Sequence, residues 1–487
     1  MRVESTRLFG RWMETRLPFK YGIATLTALP HVLVQVVLSD DAGSAIGQAS
    51  DGLAPKWFTK NPQTAPEDDI AEMVDVIRAA ARHAEGMDCD TPFELWRKLA
   101  QRQSEWARAK DYPPLLWHFG VSLVERAVIQ AWCRLHGESL QTAVLGNSLG
   151  IDLGRVHSEL DGLAPSDLLP RVPRDRVSVR HTVGLGDPLT RSDAARADTE
   201  LPADGLPVSL EDNIATYGLR FLKIKIRGDI DWDAERLAGI SDVVRTAESR
   251  GDTGGERIRF TLDGNEQFDS SEAFREHWAA LSADRGISSF LERVIFVEQP
   301  VKRARAFADR GFADWKDGPP VIIDESDSEP VDLQTALSCG YRGTSHKNCK
   351  GVFKGIAHAC LLQNRSRSSD SSYILSAEDL ANVGPLALLQ DLHTVSVLGT
   401  SHVERNGHHY FRGLSMWSRS LQEDVEKTHP GLYRSHGDGF ATVRIADGNL
   451  DLRELHTSDF GPRITVPESE LAEITDHTPA DLSSLPR

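Results

Sequence analysis

The sequence predicts an α/β protein: a (β/α)8-type TIM barrel with an α+β capping domain formed by the N-terminal region and the C-terminal tail. Three observations predict it. Within residues 173–424, short apolar runs alternate with helix-length amphipathic stretches, the rhythm of successive βα units. Ahead of that region, residues 1–172 carry a strand hairpin and then helices. Behind it, residues 425–487 return to short β-type runs.

In order along the chain, the Val- and Leu-rich run 30–38 reads as a strand. Ser39-Asp40-Asp41-Ala42-Gly43 supplies turn chemistry, and 44–48 can return as the partner. Helical periodicity follows at 65–84 and 92–109. At 120–136, Val121, Leu123, Val124, Ala127, Val128 and Trp132 form one apolar stripe, stopped by Gly137.

The barrel strands are read at 177–183, 221–226, 258–262, 294–297, 321–323, weakly at 344–347, then at 373–375 and 402–404. Helical patterns at 232–249, 271–283, 332–339, 352–362 and 385–397 fall between most of them. An open doubly wound sheet has the same rhythm, and periodicity by itself does not separate the two. Polar stretches 192–212 and 365–372 read as loops, the first at the mouth of the barrel. In the tail, runs 440–445 and 450–452 flank a turn and are expected to rejoin the N-terminal unit.

Composition narrows the function. The 487 residues are 40% apolar and 26% charged, enough to bury a sizeable core. Asp and Glu number 72 against 55 Lys and Arg, a formal net charge of −17 that repels phosphate backbones, so no nucleic-acid partner is expected. No membrane association is expected either, because no run approaches the roughly 20 apolar residues of a membrane span. The first residues lack the apolar core of a secretory signal. Five cysteines without CxxC spacing fit a reduced, cytoplasmic setting.

The chemistry sits at the ends of the expected strands. Side chains alternate across a strand, so Lys223 and Lys225 share one face of 221–226 while Leu222, Ile224 and Ile226 share the other. A lone Lys-x-Lys would more often be a solvated edge. Asp263, Glu298 and Asp324 alter that balance: each closes an apolar run, and they stand 35 and 26 residues apart, about one βα unit each. Singly they would be helix caps or loop acids. In register they offer three converging oxygens, a set that a hard cation such as Mg²⁺ accepts. Lys347 follows 23 residues after Asp324, where the next strand should end.

In that order the motifs resemble the enolase superfamily, and within it the muconate-lactonising-enzyme subgroup, in a mandelate racemase/muconate lactonizing enzyme-like arrangement. The resemblance runs from Arg16-Leu17-Pro18-Phe19 and 32–38, through Lys223/Lys225, Asp263-Gly264-Asn265, Val297-Glu298-Gln299-Pro300, Asp324-Glu325 and Lys347, to the tail at 439–452. It implies a Mg²⁺ site on Asp263, Glu298 and Asp324, with Mn²⁺ as a substitute. It implies opposed acid/base lysines Lys225 and Lys347, with Lys223 supporting Lys225 and the bound carboxylate. Asn265, Glu325, Glu404, His409, Tyr21 and Trp57 are the expected substrate-binding or supporting residues. For His409 a structural role is the competing reading, and for Tyr21 and Trp57 it is packing between the domains.

The implied reaction is abstraction of a proton α to a carboxylate through a metal-stabilised enediolate, as in racemisation or epimerisation. Dehydratase and cycloisomerase chemistry, or carboxylate binding without catalysis, are the alternatives. Small carboxylates are the expected ligands, and a homo-oligomer is compatible with the reading. Three features depart from the subgroup. Asn348-Cys349-Lys350-Gly351 lacks its paired glycines, Ser376-Ala377-Glu378-Asp379 replaces the Asp-x-Asp of dipeptide-acting relatives, and 404–411 is unusually polar and aromatic.

Overall fold

The structure is a computed structural model that describes residues 1–196, 201–308, 311–475 and 482–487. The chain opens with an antiparallel sheet of β1 (Arg2–Tyr21), β2 (Ala24–Asp40) and β3 (Gly43–Gly52). The hairpin of β2 and β3 is the expected one, extended at both ends. β1 was not expected. Arg2, Glu4, Glu14 and Lys20 are exposed between buried residues such as Val3, Phe9 and Met13, while Arg11 is itself buried, which blurs the alternation.

Helices α1 (Pro66–Ala84) and α3 (Pro114–His136) lie on this sheet, and α2 (Pro92–Arg108) packs against both of them. Thr91 caps α2 by accepting from Glu94 N at 3.2 Å. α3 begins a turn and a half before the expected stripe, because Leu115, Leu116, Trp117 and Phe119 are also buried. Gly47 lets α3 lie close on β3: a Cβ there would stand 1.9 Å from Ala127 O.

The barrel is built from β4 (Arg176–Val183), β5 (Phe221–Lys225), β6 (Arg259–Asp263), β7 (Val294–Glu298), β8 (Val321–Ile322), β9 (Gly343–His346), β10 (Ile374–Ala377) and β11 (His402–Arg405). They pair in parallel in the order β8-β7-β6-β5-β4-β11-β10-β9. A parallel bridge between Ile323 and Thr344 joins the two ends, so the sheet closes on itself. Closure rules out the open doubly wound alternative. The weak sixth strand is real: Thr344, Ser345 and His346 are fully buried polar residues, and Thr344 Oγ1 donates to Asp327 at 2.9 Å. It starts at Gly343 because a Cβ there would meet Ile374 O at 1.7 Å.

The tail departs from expectation. β12 (Tyr433–Ser435) and β13 (Ala441–Val443) form their own hairpin, and β14 (Asn449–Asp451) pairs antiparallel with β4 of the barrel. β15 (Ala472–Glu473) joins the N-terminal sheet, against Phe9 and Gly10 of β1. In the polar stretch 192–212, residues 197–200 lie outside those described, and helices Arg191–Ala195 and Leu210–Tyr217 reach into its ends. All five cysteines are free and buried. Among the described residues, no helix is long and apolar enough to cross a membrane.

Candidate active site

The register of adjacent strands brings the charged residues together. Lys225 lies opposite Asp263, and Asp263 opposite Glu298, at the C-terminal ends of β5, β6 and β7. Asp324 follows β8, Lys347 follows β9 and Glu378 follows β10. In the closed strand order β5 and β9 stand four strands apart in either direction, so Lys225 and Lys347 rise from opposite walls.

Lys223 Nζ contacts four carboxylates: Asp263 at 3.0 Å, Glu298 at 2.8 Å, Glu378 at 2.8 Å and Glu404 at 2.9 Å. Lys225 Nζ donates to Asp263 Oδ2. Lys347 Nζ donates to Asp324 Oδ2 and Glu378 Oε2, both at 2.7 Å. Lys350 holds Asp324 from the other side, with Nζ 2.7 Å from Oδ1. Arg180 Nη2 donates to Glu378 Oε1 at 2.9 Å.

Burial works against every one of these charges, and the partners decide the outcome. Despite burial, Asp263, Glu298, Glu378 and Glu404 hold Lys223 well above the ordinary lysine range. Asp324 and Glu378 do the same for Lys347. Lys347 and Lys350 in turn keep Asp324 low against burial, and Lys223, Lys347 and Arg180 keep Glu378 low. Glu298 goes the other way. Burial and then Glu378 push its carboxyl well above the usual range.

One oxygen each from Glu298, Asp324 and Glu378 lie within 4.8 Å of one another, all buried. Glu298 Oε2 lies 2.8 Å from Lys223 Nζ, a contact between charges without hydrogen-bond alignment. A buried all-carboxylate set is the donor chemistry of a hard divalent cation, so these residues fit Mg²⁺. Asp263 borders the same cluster with Oδ2 on the lysines and Oδ1 accepting from Asn265 N at 2.8 Å.

Above the cluster lies a cavity of about 40 Å³, lined by Lys223, Lys225, Asp263, Asn265, Asp324, Lys347 and Glu404 below and by Phe19, Tyr21, Leu26, Ala54 and Trp57 from the capping region. That volume holds a few waters. Tyr21 Oη donates to Pro55 O at 2.7 Å, which ties the two lid segments together. Trp57 lies over Lys347 Nζ at 5.3 Å from the ring centre. Arg303 latches the lid to the barrel: it donates to Phe58 O at 2.8 Å and Trp57 O at 2.9 Å while pairing with Glu266.

The remaining expected residues divide. Asn265 lines the cavity, and its Nδ2 donates to Glu325 Oε1 at 3.3 Å. Glu325 itself is buried behind it, its carboxyl pushed up to about 7 by burial and then by Asp324. Glu404 accepts from Thr182 Oγ1 at 2.6 Å beside Lys223. His409 is not in the cavity wall; its carbonyl accepts from Arg16 and its ring meets Asn213.

Sequence reasoning assigned no role to Glu378, Lys350, Arg180 or Gln299. Glu378 carries the same signal as Lys347, an ionisable residue directly after a strand. Gln299 fixes the Asp324 loop, with Oε1 accepting from Asp324 N at 2.8 Å. Arg180 lies inside β4, where sequence offers no cue that it turns inward.

The geometry can be set beside known proteins. No family model and no curated protein matches the chain. Solved structures match over nearly its full length. An N-succinyl Arg/Lys racemase from Bacillus cereus is 12% identical, with 93% of this chain and 97% of that one covered and a TM-score of 0.59. A dipeptide epimerase from Cytophaga hutchinsonii, complexed with Mg and the dipeptide D-Ala-L-Val, is 15% identical, with 97% and 99% covered and a TM-score of 0.58. A mandelate racemase/muconate lactonizing enzyme from Roseiflexus sp. is 17% identical, with 96% and 99% covered and a TM-score of 0.58. This chain has their fold. It is the barrel with an N-terminal capping sheet that the resemblance to the enolase superfamily leads one to expect.

Proposed function

We propose that the protein abstracts a proton α to a carboxylate, with Mg²⁺ or Mn²⁺ as cofactor, and most directly catalyses racemisation or epimerisation. The observation that carries this is the placement of Lys225 and Lys347 on opposite walls of one cavity, over a buried cluster of carboxylates. Asp324 and Glu298, with Asp263 or Glu378 as the third carboxylate, are the residues to hold the cation. When bound, it supplies positive charge where negative charge develops on the substrate carboxylate.

The protein's own groups do the rest. Lys225 and Lys347 face the α-carbon from two sides, one taking a proton and the other returning one. Lys347 is kept protonated by Asp324 and Glu378, so it becomes a base once those carboxylates are engaged elsewhere. Lys223 holds Asp263, Glu298, Glu378 and Glu404 in place between the walls. Tyr21 and Trp57 roof the site and limit its contact with bulk water. The nearest alternatives are elimination or cycloisomerisation using one lysine, and carboxylate binding without turnover. A reducing, cytoplasmic setting stays part of the proposal.

The test is exchange of substrate α-hydrogen in D₂O with Mg²⁺ across a library of carboxylates, read by mass spectrometry. Exchange that requires Lys225 or Lys347 supports proton abstraction. Tight binding without exchange of any acid would favour the non-catalytic reading.

A further inference from the structure

The cavity has two unlike halves. Its floor is ionic, and its roof and one side are apolar: Phe19, Tyr21, Leu26 and Trp57 from the capping region, with Leu380 from the loop after β10. Lys20 is exposed and outside the cavity wall, and three other cations of the capping region are engaged. Arg16 pairs with Asp204 at 2.6 Å, Lys56 with Asp69 at 2.9 Å and Lys60 with Glu266 at 3.1 Å. The Tyr21 hydroxyl donates to Pro55 O. A second anionic group, or a row of hydroxyls, would be desolvated against this roof with nothing to meet it.

The wall from β10 and β11 adds one specific feature. Asp379 is held by Arg405 at 3.2 Å and accepts from Ala381 N at 3.1 Å. Asn406 is different. Its Nδ2 donates to Glu404 Oε1 at 3.1 Å. A carboxylate oxygen so placed only accepts, which fixes the orientation of the amide. Oδ1 of Asn406 is left buried and without a partner, in a residue that lines the cavity. A buried acceptor with no donor is a cost that a ligand can relieve.

From these two features we infer the substrate class: a monocarboxylate with a compact apolar side group and one hydrogen-bond donor, a hydroxyl or N–H, directed at Asn406. The inference rests on the proton-abstraction reading and names the acid that the site takes. The apolar group packs under Phe19, Leu26, Trp57 and Leu380, the carboxylate faces the ionic floor, and the donor meets Asn406 Oδ1.

Calorimetric titration in the presence of Mg²⁺ tests it with four acids: α-hydroxyisocaproate, isocaproate, gluconate and N-succinyl-lysine. Wild type should bind α-hydroxyisocaproate tightest, and lose about 3- to 10-fold when the hydroxyl is absent, the size of one neutral hydrogen bond. In Asn406→Ala the two branched acids should bind alike, which separates the contact to Asn406 from any contact of the hydroxyl to the cation. Leu26→Asn should weaken both branched acids and not gluconate. Tighter binding of gluconate or N-succinyl-lysine by wild type overturns the class, as does failure of all four to bind. An unchanged hydroxyl preference in Asn406→Ala overturns the role of Asn406. Exchange in D₂O on the same samples keeps the two readings apart: the expected binding order with no exchange of any acid removes proton abstraction and leaves the ligand class standing.

Discussion

Lys347 and Asp324 form a buried ion pair, with Nζ 2.7 Å from Oδ2. A residue expected to move protons thus rests on a residue expected to hold a cation. On the proposed reading, positive charge from the lysine occupies the carboxylates until substrate and cofactor arrive. A buried carboxylate without any partner would be far more costly.

Asp324→Asn removes one anionic oxygen with little change of shape. Mg²⁺ affinity, read by isothermal titration, should fall by roughly tenfold or more, with the melting temperature largely kept because Lys347 retains Glu378. Equal affinities in the two proteins would take Asp324 out of the cation site.

The two lysines should be separable by stereochemistry. Lys225→Ala and Lys347→Ala should each lose overall epimerisation by about 10²–10⁴-fold. Each should retain exchange with D₂O for the one epimer whose hydrogen faces the surviving lysine, so the preferences of the variants mirror one another. If both exchange the same epimer, the two-base arrangement is wrong. Normal elimination by Lys347→Ala would point to chemistry using Lys225 alone.

Glu378→Gln probes the anion shared by the lysines. Its charge helps to hold Lys347 above the ordinary lysine range. Removing it should bring the Lys347 pKa down, so the limb of the pH–exchange profile that reports Lys347 as a base moves to lower pH. A profile that stays in place would show that Asp324 alone governs Lys347.

Trp57→Ala and Tyr21→Ala should reduce turnover while the barrel stays folded, since both residues roof the cavity. A fall of many degrees in melting temperature with normal turnover below it would assign them to packing between the capping region and the barrel.

Glu125 on α3 offers a pH test of stability away from the site. Burial pushes its carboxyl up to about 7, although Oε1 accepts from Phe353 N at 2.7 Å. Its folded pKa lies above the unfolded one, so folding is favoured while the group is protonated. That contribution is fully present below the ordinary glutamate pKa and lost as pH rises through about 7, a change on the order of 3 kcal/mol for this group. Denaturant unfolding of Glu125→Gln should show a shallower decline between pH 5 and pH 8 than wild type. Asp51 and Asp379, also pushed up to about 7 by burial, should leave part of the slope in the variant. An unchanged slope would mean that Glu125 is charged in the folded protein.

Much of this architecture is local and therefore legible in one dimension. Strand β6 and helix Ser271–Ala283 are announced by apolar periodicity, and Lys225, Asp263, Glu298 and Asp324 by their place at the end of a run. A strand's period of two and the length of a βα unit are properties of the backbone itself. β1 was hidden because charged residues, some exposed and Arg11 buried, interrupt its apolar alternation, and β14 because pairing with β4 depends on where the tail lands. Closure through Ile323 and Thr344 is likewise invisible along the chain.

The site shows the same division. Sequence placed ionisable residues after successive strands, but only the curved barrel brings Glu378 within reach of Lys223, three strands away, while Lys347 meets it from the adjacent strand β9. Which charge prevails depends on distances and burial that no spacing encodes, since Coulomb energy scales with separation and with the local dielectric. The sequence by itself determined the alternation of elements and the order of the chemical groups. The tertiary structure decided which groups meet, which of them stay charged, and that Asn406 Oδ1 is left without a partner, because each of these depends on contacts between segments far apart in the chain.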